Sequence, residues 1–194
     1  MWLYCFPVLA YLLGSISSAV VIAHARSLPD PREVGSKNPG ATNILRYGGK
    51  TAAVLTLAGD LLKGIVAVSI ARTFTTDAVI IALTGFGAFL GHLFPVFFGF
   101  RGGKGVATAL GIWLAINPWI GLLLLVTWVA MAVLFRYSSL AALAAAVAAP
   151  FYVAWLSPAA PYLASMLVMT GILIWRHRSN IRNLLAGTET RIGQ

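Results

Sequence analysis

Long apolar runs dominate this sequence and constrain its fold more than any other feature. A helix needs about 20 apolar residues to cross roughly 30 Å of hydrocarbon. Hydrophobic residues make up 59% of the chain and charged residues 10%, which is atypical of soluble domains. The runs therefore predict an all-α integral membrane protein, with a single polytopic domain over residues 1–194 and about seven transmembrane helices at residues 2–23, 51–71, 78–98, 106–116, 118–135, 140–156 and 160–175.

The basic residues indicate how these helices are oriented. The chain has 14 Lys and Arg against 5 Asp and Glu. With seven spans, all cations except Lys63 and Arg72 fall on one side, which the positive-inside rule assigns to the cytoplasm. Asn117-Pro118 is a turn signal that either ends or kinks a helix. Merging the two short spans around it would scramble the charge partition, so we expect seven spans, the N-terminus outside and the C-terminus in the cytoplasm.

Three polar segments share the predicted cytoplasmic side, and the first is GSKNPGATNILR, residues 35–46. A turn signal at residues 38–40 precedes a predicted helix start at residues 41–46, with Pro near its first position. The free amides and the dipole of a helix N-terminus favour an anion. A capped loop with a solvated polar face is an equally good interpretation of this segment alone. Its candidate phosphate-binding residues are Ser36, Asn38, Gly40, Thr42 and Asn43, with Arg46 as a nearby cation.

The second segment, GHLFPVFFGFRGGKGVAT at residues 91–108, contains a glycine-rich stretch. Gly102 and Gly103 allow close approach of the backbone to a ligand, and Lys104 supplies a point charge. A helix is predicted to resume at Val106 with its N-terminal amides facing the same place. A cytoplasmic turn with topological cations would explain Lys104 but not the glycines, so phosphate binding is favoured. The pattern is only loosely similar to a P-loop.

The third segment, RHRSNIRNLLAGTE at residues 176–189, ends the last predicted span. His177, Asn180 and Leu184 follow i, i+3, i+7 spacing, which places them on one helical face. An interfacial helix is the better explanation for Arg178, Arg182 and Arg191, which would contact headgroups. That explanation suits His177 and Asn180 less well, so we treat both as candidate site residues.

Ionisable residues also occur inside predicted spans. Asp60 and Lys63 lie in the middle of the second span at i, i+3, where a charge is costly unless paired or facing a polar interior. We expect a structural ion pair between closely packed helices, with direct catalysis as the minor alternative. His92 is either a satisfied interior histidine or a hydrogen-bonding support for the site, and we favour support.

The sequence also argues against several chemistries. The single cysteine cannot form an internal disulfide, and no cluster of His, Cys or acidic residues has metal-ligand spacing. No His is followed five residues later by Asp, and no GxSxG sequence occurs. We expect no metal, no cofactor and no nucleic-acid partner, because the cations follow topology and the proposed anion pocket.

Together, the three segments resemble the signature motifs of the bacterial acyl-phosphate:glycerol-3-phosphate acyltransferases, the PlsY family. The resemblance implies transfer of a fatty acyl group from acyl phosphate to the 1-hydroxyl of glycerol 3-phosphate, giving lysophosphatidic acid and phosphate, the first step of bacterial phospholipid synthesis. It implies a multi-pass protein of the bacterial inner membrane with a cytoplasmic site. It also implies membrane lipid as a partner and a functional link to the enzyme that makes acyl phosphate.

The resemblance suggests a role for each candidate. We expect Ser36, Asn38, Gly40, Thr42, Gly102 and Gly103 to cradle the acyl-phosphate group. Arg46, Lys104, His177 and Asn180 would hold glycerol 3-phosphate and serve catalysis, and Ser138 or Ser139, on a short turn between spans, would add a donor. The proton acceptor is either the substrate's own phosphate or His177. The competing function is a transporter of an organic phosphate anion, although the chain shows no inverted repeat.

Overall fold

The computed structural model describes residues 2–193, which form α-helices and short 3₁₀ turns and no β-strand. Five apolar helical segments are long enough to cross a membrane, and two apolar helices are shorter, so the predicted all-α membrane fold is confirmed and the count of seven spans remains a prediction. The α-helices are α1 (Cys5–Gly14), α2 (Ser18–Ala25), α3 (Ala41–Phe74), α4 (Ala78–Leu93), α5 (Val106–Ile116), α6 (Pro118–Phe135), α7 (Ser138–Leu156), α8 (Ala160–Arg176) and α9 (Arg178–Leu185).

The chain divides into two compact units between Ile116 and Asn117. The first unit contains α1 to α5, with α1 packed on α4 and α3 packed on α5. The second unit contains α6 to α9, with α7 packed on both α6 and α8. The single polytopic domain stays a prediction.

The first predicted span is not one continuous helix, which corrects the sequence analysis. α1 ends at Gly14, and α2 begins at Ser18 after Ser17 adopts an extended conformation. Ser15 Oγ donates to the carbonyl of Tyr11 at 2.8 Å, a bond that competes with regular helix geometry. The break leaves a carbonyl oxygen on Ile16, and Lys63 Nζ donates to it at 3.0 Å. The ammonium of Lys63, 47 residues away, therefore supplies a hydrogen-bond donor to the carbonyl at the helix break.

α3 joins the predicted helix start at residue 41 to the predicted second span. It consists of two helical stretches that meet at a kink at Gly49, where φ is 80°, and the second stretch runs on to Phe74. That conformation is accessible to glycine and strained for most other residues. The residue before the helix, Gly40, is its N-cap, so Pro39 lies one position before the cap and not near the first helical position.

α4 ends five residues earlier than predicted, at Leu93. Pro95 lacks an N–H and disfavours helical geometry in the residue before it, and a 3₁₀ turn at Val96–Phe98 follows. Glycines on α4 allow close packing on α1. A Cβ at Gly87 or Gly91 would collide with the α1 backbone, which is the small-residue packing common between membrane helices.

Two side chains of the second unit, Asn117 and Thr170, bond backbone groups that the helices leave without a partner. Asn117 separates α5 from α6 completely: its Oδ1 accepts from the amide of Trp119 at 3.0 Å, and its Nδ2 donates to the carbonyl of Leu156 at 3.2 Å. Pro150 lies inside α7 and cannot donate to the carbonyl four residues earlier. Thr170 Oγ1 of α8 donates to that carbonyl, on Ala146, at 3.1 Å.

Candidate active site

The first polar segment is organised by a buried asparagine. Asn43, on the first turn of α3, is 1% exposed. Its Oδ1 accepts from the amide of Ser36 at 3.0 Å, and its Nδ2 donates to the carbonyls of Pro31 and Val34, each at 3.0 Å. Asn43 therefore folds the preceding loop over the start of α3.

The N-terminus of α3 lies beside this loop with the side chains of three candidates exposed. Gly40, the N-cap, has no side chain to cap the first amides. Ser36, Thr42 and Arg46 are exposed. A helix N-terminus with nearby hydroxyl and guanidinium donors has the chemistry of an anion site.

The glycine-rich loop packs against this same region. The amide of Gly103 donates to the carbonyl of His92 at 3.1 Å. A Cβ at Gly103 would lie 3.0 Å from the carbonyl oxygen of Pro39, and a Cβ at Gly102 would collide with backbone carbonyls at the end of α4. The glycines thus permit close approach within the protein itself. The fold brings the first and second polar segments together inside the first unit, with Lys104 partly exposed just before α5.

Two arginines tie the loops of these segments to each other. Arg101 lies 2.9 Å from the Glu33 carboxylate and donates to the carbonyl of Arg32 at 3.2 Å. Arg32 donates to the carbonyl of Phe98 at 3.1 Å. It also binds Asp30, and this guanidinium holds the pKa of the Asp30 carboxyl below its ordinary value. Sequence analysis missed these links, although the alternating charges of residues 30–33 were a signal of local pairing.

A charged cluster lies beneath the glycine-rich loop. Lys63 Nζ and His92 Nδ1 lie 3.0 Å and 3.4 Å from the same oxygen, Oδ1 of Asp60. All three side chains are at most 7% exposed. The expected Asp60–Lys63 ion pair is therefore present, and His92 joins it from α4.

The second unit places the third polar segment beside the start of α7. Glu189 Oε1 accepts from Asn180 Nδ2 and from Ser139 Oγ, each at 2.7 Å. Sequence analysis placed Ser138 and Ser139 on a short turn between spans. In the structure they are instead the first two residues of α7. Sequence analysis gave Glu189 no role, because nothing local in the sequence links it to Ser139.

His177 occupies a junction between two helices. It follows α8 and precedes α9, so it does not share one continuous helix with Asn180 and Leu184, which corrects the predicted face. The side chain is 2% exposed, and Nδ1 lies 2.8 Å from the carbonyl oxygen of Leu173. A carbonyl can only accept, so Nδ1 carries the proton and Nε2 is the acceptor in the neutral ring.

The described residues bring the candidates together in two groups, one in each unit. Ser36, Asn38, Gly40, Thr42, Gly102, Gly103 and Lys104 belong to the first unit, and Ser139, His177 and Asn180 to the second. Within residues 2–193, no group of three His, Cys, Asp or Glu side chains lies where it could hold a metal ion. The arrangement within each unit offers hydrogen-bond donors and cations suited to phosphate-bearing substrates.

Comparison with known proteins gives consistent matches along the chain. The sequence model of the family described as glycerol-3-phosphate acyltransferase matches residues 4–187. A glycerol-3-phosphate acyltransferase of Thiobacillus denitrificans is 56% identical over 191 residues, which cover 96% of both chains. A protein of the same name from Methylococcus capsulatus is 56% identical over 185 residues, covering 95% of this chain and 93% of the relative.

Solved structures agree with the sequence matches. A crystal structure of PlsY (YgiH), an integral membrane glycerol 3-phosphate acyltransferase, in its glycerol 3-phosphate form is 41% identical, with a TM-score of 0.94. The lysophosphatidic acid form of PlsY is 39% identical, with a TM-score of 0.92. Both matches cover 100% of this chain and 96% of the solved chain. From the family match and the full-length relatives, this chain belongs to the glycerol-3-phosphate acyltransferase family.

Proposed function

We propose that this protein transfers a fatty acyl group from acyl phosphate to the 1-hydroxyl of glycerol 3-phosphate, producing lysophosphatidic acid and inorganic phosphate. The observation that carries the acceptor and the product is the full-length likeness to PlsY in its glycerol 3-phosphate and lysophosphatidic acid forms. Family membership favours this acyltransfer over transport of an organic phosphate. The acyl-phosphate donor is supported by the glycine-rich loop, whose setting suits a second phosphate.

The first unit supplies the proposed donor site. The N-terminus of α3 and the glycine-rich loop lie together there, and the dipole at a helix N-terminus favours an anion. Two phosphate-bearing substrates bring about three to four negative charges near neutral pH. Ser36, Asn38, Gly40, Thr42, Gly102 and Gly103 would contact the acyl phosphate. Asn43, whose amide group already bonds the loop, would position these residues without touching phosphate.

Glycerol 3-phosphate would be held by Arg46, Lys104, His177 and Asn180. Ser139 and Asn180 share the Glu189 carboxylate, so their orientation is coupled. Ser138 begins the same helix turn as Ser139 and would add a hydroxyl donor. Cations and neutral donors of this kind match a phosphate with adjacent hydroxyl groups.

The reaction itself needs little covalent help from the protein. The 1-hydroxyl oxygen attacks the acyl carbonyl carbon, a new C–O ester bond forms, and the anhydride C–O bond breaks so that phosphate leaves with the electron pair. The hydroxyl proton passes to a phosphate oxygen, because the leaving group is itself a base. Catalysis then consists of positioning and charge stabilisation, where one preorganised donor contributes about 3–4 kcal/mol.

His177 is the alternative proton acceptor. Its Nδ1 is committed to the Leu173 carbonyl, which leaves Nε2 with the lone pair required of a base. Phosphate-assisted transfer predicts that His177→Ala keeps the shape of the pH–rate profile. Loss of one limb of the profile in His177→Ala, with little change in KM, would instead assign the base to His177.

The proposed site lies at the cytoplasmic side of a bacterial inner membrane, with the acyl chain in lipid. Helix α5 has 11 residues, so it is about 16 Å long and shorter than the hydrocarbon layer. The irregular glycine-rich loop before it would extend this crossing, which is tolerated only where protein or water satisfies the backbone. In this proposal the loop would bring the phosphate group of the acyl donor close to lipid. Seven crossings and a cytoplasmic C-terminus are part of this proposal.

The test uses detergent-purified protein with palmitoyl phosphate or palmitoyl-CoA as acyl donor and labelled glycerol 3-phosphate as acceptor. We expect labelled lysophosphatidic acid and an equal amount of inorganic phosphate with palmitoyl phosphate only. Product with palmitoyl-CoA only would retain the acyltransferase and refute the donor. No product with either donor, together with uptake of labelled glycerol 3-phosphate by proteoliposomes, would refute the enzyme.

A further inference from the structure

Three buried ionisable side chains lie in the first unit, beneath the glycine-rich loop. Asp60 and Lys63 are on α3, and His92 is on α4. The Lys63 ammonium lies 3.0 Å from Asp60 Oδ1 and donates to the Ile16 carbonyl at the break between α1 and α2. The cluster therefore connects α3, α4 and the break between α1 and α2.

His92 connects this cluster to the loop through both its side chain and its backbone. Its Nδ1 lies 3.4 Å from Asp60 Oδ1. The other ring nitrogen, Nε2, is the atom nearest to where a Cβ of Gly103 would stand. The backbone carbonyl of His92 accepts from the amide of Gly103 at 3.1 Å. Gly103 therefore lies against the His92 ring and is hydrogen-bonded to the His92 backbone.

Stability alone is a poor explanation for this cluster. Burying charged groups carries a large desolvation cost, and well-packed apolar residues commonly replace a buried ion pair without loss of stability. In several proteins a buried polar network instead fixes one arrangement of its surroundings. The part of the surroundings with proposed chemistry is the glycine-rich loop.

We propose that Asp60 and Lys63 act through His92 as positioning residues that fix the glycine-rich loop in its phosphate-binding arrangement. Lys63 balances the Asp60 charge, Asp60 orients the His92 ring, and His92 holds Gly103. None of the three contacts substrate in this account. The proposal rests on the proposed function, because the ligand of the loop is taken to be the phosphate of the acyl donor.

The test compares a charge-neutral double variant, Asp60→Leu with Lys63→Met, with the wild-type protein. The double variant removes both charges together, so no unpaired charge is left buried. The matched control is Thr84→Val. Thr84 is also buried on α4, but its hydroxyl bonds the carbonyl of Ile80 within its own helix at 2.7 Å. His92→Gln is the second variant, because it leaves the ion pair intact if the double variant does not fold.

Two measurements are made on each folded protein. In steady-state kinetics, we expect kcat/KM for palmitoyl phosphate to fall on the order of 100-fold in the double variant and in His92→Gln, because a small misplacement of a positioning group has effects of that size. The KM for glycerol 3-phosphate should change less than kcat/KM for palmitoyl phosphate, since three of its four proposed ligands, Arg46, His177 and Asn180, lie outside the loop. Thr84→Val should keep wild-type kinetics.

The second measurement does not need activity. In hydrogen–deuterium exchange, we expect the segment containing residues 99–106 to exchange faster in the double variant and in His92→Gln, and at the wild-type rate in Thr84→Val. Unchanged loop exchange, or unchanged kcat/KM for palmitoyl phosphate, would overturn the positioning role. If the wild-type protein made no product from palmitoyl phosphate, the proposed donor would fail, and the exchange result would still decide this inference.

Discussion

The Glu189 carboxylate is shared by two polar side chains of the second unit. Ser139 Oγ and Asn180 Nδ2 both donate to Oε1 at 2.7 Å, although Ser139 is 50 residues away in sequence. Hydrogen bonds to an ionised acceptor are stronger than neutral ones. Glu189 therefore fixes the orientation of a proposed substrate ligand, Asn180, without needing to contact substrate.

We predict that Glu189→Ala weakens the use of glycerol 3-phosphate. Loss of a charged acceptor costs about 1.5–3 kcal/mol, which corresponds to a fall on the order of 10- to 100-fold in kcat/KM for glycerol 3-phosphate. Glu189→Gln, which keeps a neutral acceptor, should lose less. Steady-state kinetics with Thr190→Ala, an exposed neighbour, as the control measures this effect. Wild-type kinetics in Glu189→Ala would show that Asn180 needs no such support.

Asn43 permits a stability prediction for the first unit. Its side chain makes three hydrogen bonds to the loop before α3. At about 1 kcal/mol net for each bond, Asn43→Ala should lower the free energy of unfolding by about 3 kcal/mol. Thermal unfolding in detergent, with Asn183→Ala at an exposed position as the control, measures the change. A variant as stable as the wild type would mean that the loop is held by other contacts.

Among the helices, α7 contains a proline whose missing bond is compensated by α8. Thr170 Oγ1 donates to the carbonyl of Ala146, the acceptor that Pro150 cannot use. Thr170→Val should therefore cost on the order of 0.6 kcal/mol and no more than about 1.7 kcal/mol, the average and the maximum measured by double-mutant cycles for hydrogen bonds between membrane helices. In a Pro150→Ala background, the restored backbone N–H should bond Ala146, and the same substitution should cost less. A double-mutant cycle of thermal unfolding measures this coupling. Equal costs in both backgrounds would contradict the compensation.

The helices also show which structure a sequence reveals by itself. Apolar runs predicted α5 to α8 to within about two residues at each end, because a membrane helix is defined by its own length and hydropathy. The break between α1 and α2 was not predictable in this way. Ser15 and Ser17 suit either a helix or a break, and the partner that stabilises the free carbonyl, Lys63, is remote in sequence.

In the candidate site, too, local features were predictable from the sequence and tertiary contacts were not. Helix starts at residues 41 and 106 followed from local turn signals, and both were found where expected. The links of Arg101 to Glu33 and of Glu189 to Ser139 depend on tertiary structure. Local spacing carries no signal for such pairs, so these positioning residues were missed.

For the whole molecule, the asymmetry of charge is the main argument for topology. Arg72 and Lys63 are the two cations that the sequence analysis did not place on the cytoplasmic side. In the structure, Arg72 makes local hydrogen bonds. Its guanidinium binds the carbonyls of Ala115 and Ile116 at the end of α5. A cation at a helix C-terminus is favourable, so Arg72 does not argue against the proposed orientation.

We predict that seven crossings can be detected by thiol labelling. In a Cys5→Ala background, three single cysteines should react with a membrane-impermeant maleimide in intact spheroplasts, namely Thr76→Cys, Trp119→Cys and Ala160→Cys. The control Arg26→Cys, after α2, should react only once the membrane is permeabilised. The reason is that α5 and α8 are proposed to cross despite their short apolar lengths. Protection of Trp119→Cys until permeabilisation would show that α5 does not cross.

The central claim is that two of the proposed site residues, Lys104 and Asn180, serve acyl transfer from acyl phosphate to glycerol 3-phosphate. The most direct measurement is the initial rate of lysophosphatidic acid formation from palmitoyl phosphate and glycerol 3-phosphate by Lys104→Gln, in the first unit, and Asn180→Ala, in the second. We expect each folded variant to lose on the order of 100-fold or more, because each removes a donor to a charged group. Wild-type rates in either variant would contradict the claim, since the substituted residue would then not serve the reaction.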